Sequence, residues 1–416
     1  MGEVSTDPLT RMPEGATPAA LRGSWSAVAA GFTVLFVGTG VNFAFGILFK
    51  SILLELGSDR STLALAVTAS LGVNALGQPV FGALVDRAGP RRVILPSMAL
   101  MALGTALVAL ARQPWQLILL YGVVAAVGYT GCGILPVSVH VTRWFPGERG
   151  FVTAIAACGF SLGQLVFAQV AAHLGDAVGW RRTYAVLAGV LVAFLAGLAL
   201  WLRDAPPRPA ASPGGGGPAP GHTRSLTRKA ALGTPGFWAL TVGLMGCGFT
   251  DFLMTTHLAP FATDLGLSNT VAANALSLWA AANVAGILLA GAIATRLGAR
   301  GALVLTYALR AAALFWLLLV RDTWQLYLFG ILFGATFFTT APLSATLVGQ
   351  LFGPAHHGTI FGAANLFHHL AGALGAWAGG LVFDLSGSYA PIFLASGVVV
   401  VGSAAVTALA RSPRGR

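Results

Sequence analysis

The chain has 416 residues, of which 56% are hydrophobic and only 9% charged, against about 25% charged residues in soluble domains; with a mean hydropathy of +0.79, this excludes a soluble globular protein. The net charge of +11 would suit a nucleic-acid partner, but its distribution excludes one, because the basic residues gather on one side of a membrane topology. Val93 to Ala111 and Trp115 to Val139 contain no charged residue, and runs of about 20 apolar residues cross a bilayer.

Taken in order, residues 1–24 are polar and Pro-containing, with no apolar core of the kind a cleaved signal has, so the first span is expected to serve as the insertion signal. Spans are predicted at 25–49, 61–84, 93–111, 115–140, 150–173 and 182–202, and again at 236–258, 271–294, 301–320, 324–348, 358–383 and 389–410. Between the two sets lies a cytoplasmic linker, 203–235, whose 206–221 portion is rich in Pro, Gly and Ser and cannot bury apolar surface. A short tail, 411–416, follows the last span. With both termini cytoplasmic, seventeen Arg and Lys residues fall on the inner side and six on the outer, as the positive-inside rule requires, and Arg310 is left within a span. The preference for Arg over Lys goes with a GC-rich bacterial genome, so a bacterial cytoplasmic (inner) membrane is the expected location.

After the second span comes Gly82-Ala-Leu-Val-Asp86-Arg87-Ala-Gly89-Pro90-Arg91-Arg92. Gly89-Pro90 force a tight turn, and one carboxylate stands among three arginines where the chain leaves the hydrocarbon. This stretch resembles the loop between the second and third helices of the major facilitator superfamily, the twelve-helix carriers. That resemblance implies a cytoplasmic latch in which Asp86 pairs with an arginine such as Arg143 or Arg149 beside a helix N-terminus.

The two sets of spans repeat at an offset of 207–209 residues. Trp115-Gln116-Leu117 recurs as Trp324-Gln325-Leu326, and Gly82, Arg87, Gly89 and Arg91 as Gly291, Arg296, Gly298 and Arg300. Thr295 stands where Asp86 stands in the first half. A parallel repeat of six spans predicts two bundles (25–202 and 236–410) with a substrate site near mid-membrane between them. Arg143-Trp144-Phe145 with Glu148-Arg149-Gly150, and Gly380 to Tyr389, resemble bacterial carriers of the monocarboxylate and oxalate:formate type. The resemblance implies a secondary transporter, not an enzyme and without a cofactor, moving a small organic anion, with protons as the candidate coupling ion, and working as a monomer.

An ionisable group in hydrocarbon costs on the order of 3 kcal/mol, so each needs a reason. Asp251 in the seventh span and Arg310 in the ninth are the two buried candidates, read either as an ion pair and proton-linked switch or as a structural pair, with Arg310 alternatively snorkelling to a surface. The eighth span has no charge, and the eleventh offers His368 and His369 where the carriers it resembles carry Lys or Arg. Asn365, His369, Gly372 and Ala376 share a helix face, and histidine can bind an anion or relay a proton near neutral pH. His257, three residues before Pro260, is a candidate gate residue. Asn42, Asn74, Gln164 and Asn283 are candidate cavity or interhelical polar groups. A rival reading, an exporter of an amphipathic or drug-like molecule, draws on the uncharged eighth span and on Phe45, Trp279, Trp316, Phe337 and Phe338.

Three patterns are set aside. Gly159-Phe-Ser161-Leu-Gly163 is mid-helix, where a hydrolase elbow cannot form, and reads as close helix packing, matched by Gly375 and Gly379. Cys132, Cys158 and Cys247 read as small buried hydrophobes. His356-His357 and His368-His369 are too far apart for one metal site, with no carboxylate or thiol to complete it. No G-x-x-x-x-G-K-[ST] nucleotide loop occurs.

Overall fold

Glycines at the ends of the predicted spans set the frame. Gly57 and Gly266, Gly89 and Gly298, and Gly179 and Gly387 are pairs at the repeat offset, and all six adopt positive φ, between 59° and 88°. The repeat seen in the sequence is therefore a repeat of backbone turns. The same holds for hydrogen bonds. Gln116 Oε1 accepts from the amides of Arg112 and Gln113 at 2.6 and 3.1 Å, and Gln325 Oε1 accepts from those of Arg321 and Asp322 at 2.6 and 3.1 Å.

The computed structural model describes residues 18–145, 149–204, 228–353 and 357–410. The Pro/Gly-rich part of the linker, most of the N-terminal tail, the C-terminal tail, His356 and the side chains of Arg149 and His357 lie outside the described residues. The described chain is all-α. Among the described residues nine helices are long and apolar enough to cross a membrane. Two of them are span pairs running on through a glycine turn: the fifth and sixth spans (Arg149–Trp201, turning at Gly179) and the eighth and ninth (Asn269–Leu317, turning at Gly298). The others are the first (Pro18–Leu56), second (Arg60–Ala88), third (Pro90–Val108), fourth (Pro114–Trp144), seventh (Pro235–Asp264), eleventh (His357–Ser386) and twelfth (Ala390–Ala408) spans. The tenth is divided into Thr323–Gly334 and Thr340–Phe352, each too short to cross alone.

Four spans differ from expectation in a way that matters below. The first runs to Leu56 and the seventh to Asp264, rather than to 49 and 258. Pro260 lacks an amide hydrogen, and Thr263 Oγ1 bonds the carbonyls of Ala259 and Pro260 at 3.1 and 3.0 Å as the helix continues. The fourth span holds a π-helical turn at Leu120–Ala125 and a break at Cys132-Gly133. The tenth, expected to be continuous, unwinds at 335–339. Polar or glycine-interrupted breaks at corresponding places in two halves mark the substrate region of carriers built from repeats.

The small-residue pattern set aside as packing does pack. Gly159 and Gly163 of the fifth span face the carbonyls of Phe32 and Phe36 in the first, and Gly375 of the eleventh faces that of Phe249 in the seventh, each with no room for a Cβ. Close backbone approach of this kind is how helices associate where lipid supplies no hydrophobic drive.

Candidate functional site

Asp251 lies about 24 Å from the start of its helix and about 20 Å from its end, at 1.5 Å per residue, so the longer seventh span puts it at mid-length. Arg310 reaches it from the ninth span. Nη1 of Arg310 is 2.7 Å from Asp251 Oδ1, and neither side chain is more than 7% exposed. With its guanidinium fully buried, Arg310 does not snorkel.

The break in the tenth span explains how the arginine is satisfied. Unwinding at 335–339 frees carbonyls that a continuous helix would use itself. Arg310 Nη2 donates to the carbonyls of Thr336 and of Phe337, the latter at 3.0 Å, and Nε donates to Thr336 Oγ1 at 3.3 Å. Cys247, expected to be a plain small hydrophobe, belongs to the same network. Its Sγ accepts from Arg310 Nη1 at 2.9 Å, donates to Asp251 Oδ2 at 3.2 Å and lies 3.3 Å from Thr340 Oγ1.

His368 borders this network. Its Nδ1 donates to the carbonyl of Leu244 at 3.1 Å, which leaves Nε2 to face elsewhere. Cys247, Asp251 and His368 bring ligand atoms within 4.8 Å of one another, so a thiol and a carboxylate do stand beside the histidine, contrary to the sequence reading. The Arg310 guanidinium already supplies positive charge to both, and a metal cation would have to displace it. His369 Nδ1 donates instead to the carbonyl of Asn365 one turn back, at 2.9 Å. The two rings meet edge to face with centroids 5.2 Å apart, and Phe252 packs beside both, 5.9 Å from each. Both histidines and Asn365 are half-buried.

Other predicted residues have structural partners. Asn283 donates to Ser161 Oγ at 2.9 Å and accepts from the Phe338 amide at 3.0 Å, joining the two halves. Asn42 Oδ1 accepts from Tyr121 Oη at 3.1 Å. Asn74 accepts from Gln78 at 2.9 Å. Gln164 is fully buried with no partner among the described residues. His257 has no exposure, and its ring is tied to Tyr389 and Ala376. The aromatic residues that favoured an exporter are largely packed away. Trp279 is buried against Phe333 and Phe337, and Phe45 stacks on Tyr121.

The turn at Gly82–Arg92 is built differently from the expectation. Asp86 is exposed and has no ion-pair partner among the described residues. Arg143 donates to the Val85 carbonyl at 3.4 Å instead. The carboxylate that holds the turn is Asp204, just past the sixth span. It accepts from the Arg91 amide at 3.0 Å, beside Gly89, while Arg91 Nη2 donates to the Ala199 carbonyl at 2.8 Å. The helix that starts at Pro90 is thus capped from another span, where a negative charge meets the positive end of the helix dipole. Arg92 is exposed; Arg87 is exposed, and Gly82 has only Leu135 near it. A carboxylate two residues past an apolar run gave no sign of this role in the sequence.

The halves are tied together over one part of their length. Gln169 donates to Asn274 and Ser277 at 2.8 and 2.9 Å, Thr68 donates to the Ala373 carbonyl at 3.0 Å, and Asn269 donates to Asp176. These ties, with Asn283–Ser161 and the Phe160–Phe338 ring contact, run from mid-length toward the end opposite the 82–92 turn.

The twelve spans, the two-fold repeat and the broken helices around a buried ion pair define a membrane carrier. The chain belongs to the Major Facilitator Superfamily, whose profile matches residues 30–376 and 248–416. Among relatives, an MFS-type transporter of Bacillus subtilis, YcxA, is 26% identical over 371 residues, covering 85% of this chain and 86% of the relative. Monocarboxylate transporter 13 of Rattus norvegicus is 23% identical over 397 residues, covering 92% and 87%. A crystal structure of a bacterial homologue of the human lysosomal transporter Spinster, in an inward-facing and unoccupied conformation, superposes with a TM-score of 0.75 at 17% identity, covering 95% of this chain and 98% of that one.

Proposed function

We propose that this chain is a proton-coupled symporter of a small organic anion of the monocarboxylate kind. It sits in a bacterial cytoplasmic membrane with both termini inside and works by alternating access as a monomer, one chain supplying both halves. The observation that carries the reading is the Arg310–Asp251 pair at the break of the tenth span. Buried arginine at mid-membrane is the cation a carboxylate needs, and Asp251 occupies it. Protonation of Asp251 removes the internal counter-ion, and a substrate carboxylate takes its place on Arg310. His368, whose ring stands beside Asp251 and Cys247, is the route for that proton. His369 and Asn365 line the approach. The monocarboxylate transporter among the relatives supports the substrate class.

The end bearing the 82–92 turn is then cytoplasmic, and the cross-half ties at the other end support an inward-facing state. The turn acts as the cytoplasmic latch, with Asp204 fixing its shape and Asp86 free to engage an arginine as the halves close. Asp204→Ala is expected to slow turnover with little change in substrate binding, because it loosens the turn and leaves the central pair intact. Comparing maximal uptake rate with equilibrium binding in the same preparation checks this; unchanged kinetics would remove the latch role.

The overall reading is tested by uptake of a labelled panel (lactate, pyruvate, formate, oxalate and longer keto acids) into proteoliposomes, with and without an inward proton gradient. Gradient-stimulated accumulation of one acid is expected. Silence across the panel would turn the assignment toward an exporter of amphipathic molecules.

A further inference from the structure

At the end opposite the arginine-rich turn, one side chain joins the halves. Arg60, the first residue of the second span, is 7% exposed, and its side-chain partners come from the C-terminal half. Its Nη2 lies 2.6 Å from Asp264 Oδ2 at the end of the seventh span, Nη1 donates to Tyr389 Oη at 2.6 Å, and the guanidinium carbon sits 3.6 Å from the centre of the Phe383 ring. The backbone amides of Arg60 and Ser61 donate to the two oxygens of Asp384 at 3.2 and 2.8 Å, so a carboxylate of one half caps a helix of the other. Lys50 adds an ion pair to Asp264 at 2.9 Å. Separating the halves at this end breaks all of these contacts together.

His257 lies directly behind the clamp. Its Nε2 is 2.7 Å from the Ala376 carbonyl, which can only accept, so Nε2 carries a proton. Its Nδ1 is 3.0 Å from Tyr389 Oη. That oxygen already accepts from Arg60, so the phenol proton points to Nδ1, which has a lone pair for it only in the neutral ring. Donation runs one way, from Arg60 to Tyr389 to His257 to Ala376. A second proton on the ring reverses the middle bond. It leaves the phenol proton without an acceptor and sets a second cation behind Arg60. The charged and titratable groups around the ring are Arg60 from the second span, Asp264 from its own seventh span, Asp384 from the eleventh, Tyr389 before the twelfth and Lys50 from the first; Phe49 presents only an aromatic ring, 5.5 Å away.

We propose that Arg60, Tyr389 and His257 form a proton-released latch: neutral His257 holds this end of the carrier closed, and protonation of its ring opens it. The latch lies about 9 Å along the helix from Asp251. It is a second proton site, independent of which substrate Arg310 receives and of whether that substrate is an anion.

The test is a spin-label distance measurement across the closed end in lipid nanodiscs, with labels at Arg112→Cys and Arg321→Cys on exposed loops of the two halves and the native cysteines replaced (Cys132→Ala, Cys158→Ala, Cys247→Ser). Between pH 8 and pH 5.5, bracketing the ordinary histidine value of about 6.5, the population at long distance is expected to rise severalfold. Arg60→Ala is expected to show the long distance at both pH values. His257→Gln is expected to lose the pH response, and so is Tyr389→Phe, which keeps the ring packing should the glutamine variant fail to fold. A distribution unmoved by pH overturns the proposal. So does a pH response that survives in Tyr389→Phe or His257→Gln, since it would then belong to Asp264 or Asp384. Because no substrate is present, a negative uptake panel leaves this result standing, and a failed latch leaves the anion reading standing.

Discussion

Replacing Arg310 with methionine is expected to abolish transport and to cost about 3–5 kcal/mol of stability, because it leaves the Asp251 carboxylate buried without its cation. The carbonyls of Thr336 and Phe337, freed by the break in the tenth span, lose the bonds Arg310 donates, and Thr340 Oγ1 is left donating to that of Phe337 at 3.3 Å. A double variant, Arg310→Met with Asp251→Leu, removes both charges. Well-packed apolar replacements of a buried pair are often neutral, so thermal stability in detergent should return to near the parent value. Transport should not return. This separation of folding from function is what distinguishes a working ion pair from a structural one, and transport by the double variant would show that the pair only holds helices together.

The second large effect is steric. Gly375→Ala places a methyl group against the backbone carbonyl of Phe249, an atom that cannot rotate away. Overpacking typically costs 1–3 kcal/mol, and here it pushes the seventh span, which carries Asp251, away from the eleventh, which carries His368. Gly362→Ala, on the same helix with nothing within 4 Å, is the control and should be neutral or slightly stabilising, since alanine favours helix by about 1 kcal/mol. A thermal unfolding series in which the two variants behave alike would contradict the packing described.

The frame of the fold was readable because its signals are local. Gly57 and Gly266, or Gln116 and Gln325, recur at a fixed offset since each is demanded by its own turn, and a turn repeats with its sequence. Asp251 and Arg310 were readable as an unusual cost in hydrocarbon. Their partnership was less so, because periodicity gives the face of a helix but not which neighbour that face meets. The break at 335–339 left only Thr339-Thr340 and Pro342 as a trace, and these residues also occur in continuous membrane helices. Asp204 and Arg60 looked like ordinary boundary charges. Each acts through a backbone amide or carboxylate distant in sequence, at separations of 113 residues for Asp204 with Arg91 and 324 for Arg60 with Asp384, which no spacing rule connects. Asp86 shows the converse, a residue prominent in its motif whose carboxylate is left exposed in this state.

Exchange of Asp251 for substrate on Arg310 is most directly tested by comparing two modes of transport in proteoliposomes containing Asp251→Asn. Asparagine keeps the shape of the side chain and leaves Arg310 without an anionic partner, as protonation does. Uptake driven by a proton gradient should be lost, while exchange of labelled for unlabelled substrate at equal pH on both sides should persist. Accumulation against a concentration gradient by Asp251→Asn, at a rate near that of the parent, would contradict the account.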